Sequence, residues 1–557
     1  MTRSSNRIYD AVIVGGGHNG LVCACELAAR GWSVRVLERR GILGGAAVTE
    51  EFHPGFRNST ASYTVGLLHK DVVRDLRLHE HGLRIVHRPF SNFLPLDAGG
   101  GELGYLKIGG GVEATQREVA KFSTRDAARI PAYYAMLDGV VSLVRELAVR
   151  TPPNLGPRDF ASIGDWWSAW DLGRRFRHLD LPGKRDLMDL FTKSAGDVLD
   201  AWFESAPIKA AFGFDATVGH YASPYAPGSA YVLLHHVFGE ESTIDGRAGV
   251  WGHAIGGMGA ITQAMTKEAH ARGVETSVDA AVARVLVDSS KGKPRATGVE
   301  LVDGTRIAAR RVVSNVHPQL LFGTLVERDV LPADFVTRIE RYRSGSGTLR
   351  MNVALSALPD FVALPGAQHQ SHHESGIVMA PSLRYMEDAW IDARRDGISA
   401  SPIVEMLIPS TVDPTLAPAG SHVASLFCQH VAPRLEDTRA PYVGGWTDPR
   451  AREDAADRVF ATVDRFAPNF SRSVIARQIH TPLDLERKFG LVGGDIFHGA
   501  LSLDQLFSAR PVLGHADYRT PVGGLYQCGA GTHPGGGVTG LPGRNAAREI
   551  LRHRLKA

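Results

Sequence analysis

Residues 9–38 read YDAVIVGGGHNGLVCACELAARGWSVRVLE, and this stretch decides the fold. Tyr9 to Val14 is a short apolar run of the kind that forms a buried strand. Gly15, Gly17 and Gly20 follow as G-x-G-x-x-G, then an Ala-rich helical stretch ends at Gly31. A second strand, SVRVLE, stops at Glu38, eighteen positions after Gly20. Strand, glycine loop, helix, strand and terminal acid together are the fingerprint of a dinucleotide-binding unit. Gly15 permits the tight turn, Gly17 lets the backbone reach a pyrophosphate, and Gly20 allows close packing of helix on strand. The phosphates belong at the helix N-terminus, beside His18 and Asn19, where free N–H groups and the helix dipole favour negative charge. Glu38 suits a ribose 2′-OH and disfavours a 2′-phosphate. NAD and FAD both satisfy this stretch.

Working outward, Arg39 to Phe56 (RRGILGGAAVTEEFHPGF) holds a second glycine pair, Gly44-Gly45, six residues past the acid. Far downstream, Gly256, Gly257 and Gly259 lead into another helical stretch. Residues 280–309 alternate β-rich runs with the turn dipeptides Lys291-Gly292 and Asp303-Gly304, which predicts a meander of hairpins. RRVVSNV (Arg310 to Val316) is a further buried strand. At the far end GLYQCGAG (Gly524 to Gly531) is a strand running into glycine, and the text from Val538, VTGLPGRNAAREIL, predicts a closing helix.

The whole chain has 557 residues, too many for one core, and a net charge of only +3. With Lys and Arg scattered, electrostatics offer nothing to a nucleic acid. Its 61 glycines exceed the usual share of about 7% and cluster where backbone must approach something closely. Cys23, Cys25, Cys428 and Cys528 include no Cys-x-x-Cys pair, and a reducing, cytoplasmic setting is expected. The first eight residues lack the apolar core of a signal peptide. The sequence has no apolar run long enough to span a bilayer, which leaves peripheral membrane contact open.

The terminal motif GAGTHPGGGVTG resembles the flavin signature of bacterial-type phytoene desaturases. HNGLVCACELAARGWSVRVLERR, GGAAVTEEFHPGF, GSAYVLLHHVFG, GGMGAITQAM, IVEMLIPS, GGDIFHGALSLDQLF and HPGGGVTGLPGRNAA extend the resemblance from Tyr9 to Ile550. They do so most closely with the related oxidoreductases called pyridine nucleotide-disulfide oxidoreductase domain-containing protein 2. The resemblance implies an α/β protein: a discontinuous Rossmann-type FAD-binding domain (1–75, 248–325 and 484–557) interleaved with an α+β substrate domain (76–247 and 326–483). It implies FAD contacts at Gly15, Gly17, His18, Asn19, Gly20, Glu38, Arg39, Gly44 and Gly45. Ala46 stands where such enzymes usually carry Arg, leaving a backbone contact. The main chain of Val282 is expected against the adenine. Gly529, Ala530, Gly536, Gly537 and Val538 are expected at the flavin, where a Cβ in place of the glycines would collide with the ring and a helix start would stabilise charge on reduction. Amine oxidases usually carry Asp where this chain has Ala530, which argues against that activity.

Family members act on long apolar substrates such as isoprenoids and polyenes. The expected reaction is oxidation of such a substrate by hydride transfer to flavin, most simply forming a C=C bond, with oxygen or a quinone as electron acceptor. His533 and His498 are the expected proton acceptors, with His220 as a further cavity candidate. One of the adjacent His235 and His236 is expected in the core. His372-His373-Glu374 lacks complementary ligand spacing, so no metal is expected. Thr151 to Pro157 is expected as a loop, and Arg343 to Leu355 as a strand of a substrate-facing sheet. Two rivals remain: a flavoprotein amine oxidase, and a flavin-binding regulatory or interaction protein without turnover.

Overall fold

A computed structural model of the chain describes residues 7–96, 104–154, 173–174, 177, 179–237, 251–290, 292–366 and 368–554. Strands β1 (Ala11–Val14), β2 (Val34–Leu37), β3 (Glu275–Ser277), β4 (Val312–Ser314) and β5 (Leu525–Gln527) form one parallel sheet in the order β5-β4-β1-β2-β3. Val12 lies opposite Val312, Ile13 opposite Val36, and Val313 opposite Tyr526. Segments some five hundred residues apart thus meet in one layer. Helices α1 (His18–Ala28), α2 (Gly259–Ala271) and α3 (Leu541–Arg554) cover one face, packing on Ile13, Val36 and Val313. The other face, with Val12, Val14 and Leu37, packs against Val285, Val299 and Ile307. A sheet buried on both faces requires an unbroken apolar strand, which is why residues 11–14 read AVIV.

The expected hairpin meander is present: Val282–Asp288, Arg295–Leu301 and Arg306–Ala308 form a three-stranded antiparallel sheet. Gly304 makes the second turn at φ +84°, while Lys291 of the first lies outside the described residues. Thr151 to Asn154 carry no regular structure, and 155–157 lie outside the described residues.

A second, seven-stranded sheet combines the two remaining parts of the chain. Its order is 474–480, 349–355, 422–431, 398–407, 376–379, 92–96, 104–108. Leu349–Leu355, buried throughout, is the strand expected within Arg343 to Leu355. The helix Pro449–Phe466 covers one face through Val459, Val463 and Phe466. Helices Thr124–Ala148, Ala206–Thr217 and Ser229–Val237 build the core on the other, which includes Phe427 and Phe497.

One boundary differs from expectation. The closing helix starts at Leu541 and not at Val538. Gly535, Gly537 and Gly540 have φ of +115°, +105° and +77°, a backbone no helix contains, so this run is a loop and the helix begins after it. Leu541 N–H is then satisfied by Thr539 Oγ1 at 3.0 Å.

Candidate functional site

The glycine loop leaves β1 at Gly15 and enters α1 with Gly17 extended at φ −70°, ψ 169° and no capping side chain. The first amides of α1 therefore have no side-chain partner, the state in which a helix start binds an anion. A Cβ on Gly20 would lie 2.4 Å from the Gly15 carbonyl oxygen, so only glycine fits that helix–loop contact. The second glycine pair folds back onto the first: Gly44 N–H donates to Gly16 O at 2.9 Å, and a Cβ on Gly45 would lie 2.9 Å from Gly17 Cα. Glu38, buried at the end of β2, accepts from Gly16 N–H at 2.8 Å and Arg40 N–H at 2.9 Å. Asn315, just past β4, donates to Gly15 O at 3.2 Å and ties the loop to the sheet.

Two cavities open from this loop. The first, about 280 Å³, runs along the strand ends and is lined by Gly15, Gly17, His18, Asn19, Glu38 and Arg39, then Gly45, Ala46, Val282 and Ala530. Lys488 and Phe489 also line it. The second, about 150 Å³, is an apolar chamber reaching toward the large sheet, with Tyr63, Val218, Trp251, Phe427, Ile496 and Phe497 on its walls. His18, Ala46, Leu491, His498 and Ala530 belong to both, so the cavities share a wall. Gly537 and Val538 line the chamber only.

Other expected site residues fall outside the linings. Gly20 and Gly44 shape the loop. Gly529 and Gly536 serve protein packing: a Cβ on Gly536 would lie 2.3 Å from Phe497 Cα, and one on Gly529 2.7 Å from Asn315 O. Collision with neighbouring backbone is thus enough by itself to require glycine there. His533 lines neither cavity; its Nε2 lies 2.9 Å from Leu147 O and it borders a separate recess beside Phe507 and Arg548. His498 shares the junction with His18; it has φ +55° and a buried Nδ1 that has no hydrogen-bond partner. Burial and the nearby Arg510 guanidinium push it down to about 3, so the ring is neutral. Burial likewise lowers His18 to about 4. Arg510 is itself fully buried, donating to the carbonyls of Phe497 at 2.6 Å and Ala530 at 2.9 Å. His236 reaches the chamber while His235 is packed behind it; both are buried. His220 is not among the lining residues. No cluster able to hold a metal occurs among the described residues, and His373 caps a short turn through Pro359 O and Gln370 N.

Sequence reasoning missed Tyr63, Trp251, Phe427 and the 488–497 segment as walls. All four cysteines are buried and free, although Cys23 and Cys528 hydrogen-bond to each other. No described helix is long and apolar enough to cross a membrane.

The parallel sheet, its central glycine loop and the cavity along the strand ends define a protein of the Rossmann-type dinucleotide-binding class. Residues 13–93 match the NAD(P)-binding Rossmann-like domain family. Over 98% of its length the chain is 41% identical to pyridine nucleotide-disulfide oxidoreductase domain-containing protein 2 of Rattus norvegicus, covering 93% of the rat protein. The chain belongs to that protein's family. It is 25% identical to a lycopene-forming phytoene desaturase of Paracoccus sp., covering 98% of this chain and 97% of that one. The structure of cyclohexylamine oxidase from Brevibacterium oxydans superposes with a TM-score of 0.56 over 99% of this chain and all of the other, at 16% identity, a likeness of fold alone.

Proposed function

We propose that the chain is an FAD-dependent oxidoreductase that oxidises a long apolar, isoprenoid-like substrate, with FAD running from the glycine-lined cavity to the wall it shares with the apolar chamber and the reacting segment of the substrate entering that chamber. The observation that carries this reading is the shared wall of His18, Ala46, Leu491, His498 and Ala530. The residues fit the cofactor. His18 Nε2, Asn19 Oδ1 and His498 Nδ1 are buried without a partner, all on these walls, and the amides of α1 are uncapped. A relative named as a phytoene desaturase supports an isoprenoid substrate.

FAD, when bound, accepts a hydride from a substrate carbon. The protein's part is to bind, orient and keep dry. Glu38 suits the ribose hydroxyls, the start of α1 suits the pyrophosphate, and the Val282 main chain suits the adenine. Arg39 and Lys488 add positive charge at the cavity wall. The chamber's apolar walls exclude water from the reacting atoms. His498, neutral through the physiological range, offers a ring nitrogen to a substrate proton. Oxygen or a quinone serves as electron acceptor, since only residues 9–38 carry the complete strand, glycine loop, helix, strand and acid of a dinucleotide site. Loading of an apolar substrate favours contact with a membrane surface.

The test is spectroscopic. Purified protein is expected to be yellow, and its visible band to bleach anaerobically with an isoprenoid donor. Protein that stays colourless in excess FAD overturns the reading. Bleaching by amines with peroxide release, and not by isoprenoids, replaces it with an amine oxidase.

A further inference from the structure

Among the polar groups on the chamber wall, one belongs to an assembly built around a buried carboxylate. Tyr63, on the chamber wall, donates its hydroxyl proton to the carboxylate of Glu405, which is 5% exposed and lies behind the lining. Phe427 stacks on the Tyr63 ring at 5.2 Å and 26°. The Arg350 guanidinium sits over the same ring, 4.4 Å from its centroid. Arg350 is pinned in turn by Ala61 O at 3.0 Å, Leu426 O at 2.7 Å and Ser425 Oγ at 2.8 Å. Arg88 donates to Thr64 Oγ1 at 2.5 Å and, with Arg350, supplies the positive charge that faces Glu405. Burial pushes the Glu405 carboxyl up, while Arg88, the Tyr63 hydrogen bond and Arg350 hold it down. Burying a carboxylate beside a hydrocarbon cavity is costly, and a chamber for a featureless hydrocarbon gains nothing from it.

Resting on the flavin reading above, we propose that the Tyr63–Glu405 pair anchors a hydroxyl group, so that the substrate is an apolar alcohol and not a bare hydrocarbon. The donor–acceptor arithmetic selects this class. A tyrosine hydroxyl has one proton and two lone pairs. With its proton committed to Glu405, its oxygen remains free to accept, and the complementary group is an O–H donor. A ketone, which only accepts, finds no proton at this anchor. The fixed ring, held between Phe427 and Arg350, adds the preorganisation that turns one hydrogen bond into discrimination.

The experiment compares n-octanol, the corresponding octanone and n-octane by titration calorimetry against the flavin-loaded protein. Octanol is expected to bind about tenfold tighter than either of the others. Tyr63→Phe is expected to bring octanol to within about twofold of octane while leaving octane's affinity alone. Glu405→Gln, whose amide oxygen still accepts from Tyr63, is expected to retain the octanol preference. Equal binding of the three probes, a preference for the ketone, or an octanol preference that survives Tyr63→Phe overturns the proposal. If Tyr63→Phe does not fold, the three-probe comparison on the unaltered protein decides alone. Calorimetry on a flavin-free preparation separates the two readings: selection of octanol by protein that never takes up FAD keeps the anchor and removes the flavoenzyme.

Discussion

At the scale of single residues, glycines and histidines do different work from what their types suggest. Gly20 admits no Cβ because the Gly15 carbonyl stands 2.4 Å from where it would be. Gly20→Ala is therefore expected to destabilise the fold by about 1–3 kcal/mol and to lower bound flavin, read by thermal unfolding and visible absorbance. The two candidate histidines separate by place. His498→Ala is expected to slow anaerobic flavin reduction by about a hundredfold with FAD retained, whereas His533→Ala, bordering a separate recess, is expected to leave that rate unchanged. Stopped-flow reduction of both variants checks this, and equal slowing would refute the assignment. His498 and Ala530 were legible because each sits in a glycine-rich motif. Tyr63 was not: its meaning depends on Glu405, 342 positions away, and no local pattern announces such a pair.

At the scale of elements, the strand–loop–helix at the N-terminus was readable because strand and helix periods, glycine spacing and terminal acid all agree within thirty residues. The start of α3 was misplaced because three positive-φ glycines look, in sequence, like the approach to a helix. Part of that glycine content serves helix packing: a Cβ on Gly543 would lie 2.1 Å from Asn19 O of α1. The loop that leads into α2 is held by a different device, invisible in sequence. Asp413, fully buried, accepts from Gly256 N–H at 2.7 Å and contacts His253 Nε2 at 3.0 Å. Burial pushes its carboxyl up, but the hydrogen bonds from His253, Thr415 and Gly256 prevail and hold it at about 2. Its folded value lies below its unfolded one, so its contribution is present above about pH 4 and fades as pH falls toward 2. Asp413→Asn is expected to cost about 2–3 kcal/mol at neutral pH, with the difference from the parent shrinking in acid, measured by denaturant unfolding across pH.

At the scale of the molecule, the interior is rich in histidines held neutral. Burial lowers His18, His236 and His533 to about 4, and His430 and His498 to about 3. Each lies below its ordinary value near 6.5, so the unfolded chain binds protons that the folded one refuses. Stability is then complete above about pH 6.5 and falls as pH drops, each such group removing about 1.4 kcal/mol per unit until its folded value is reached. Steep loss of melting temperature between pH 6.5 and 5 is the expected outcome; a flat profile there would show that these rings are charged in the folded protein.

The order β5-β4-β1-β2-β3 carries a consequence for biosynthesis. β1 is made long before its neighbour β4, which emerges after residue 312, and β5 emerges only after residue 525. Until Leu525–Gln527 arrive, β4 is an uncovered edge, a template for pairing with other nascent chains. Completion of the nucleotide layer therefore waits until residues 525–527 have been made. The cell must shelter more than five hundred residues of unfinished polypeptide before any ligand can secure them.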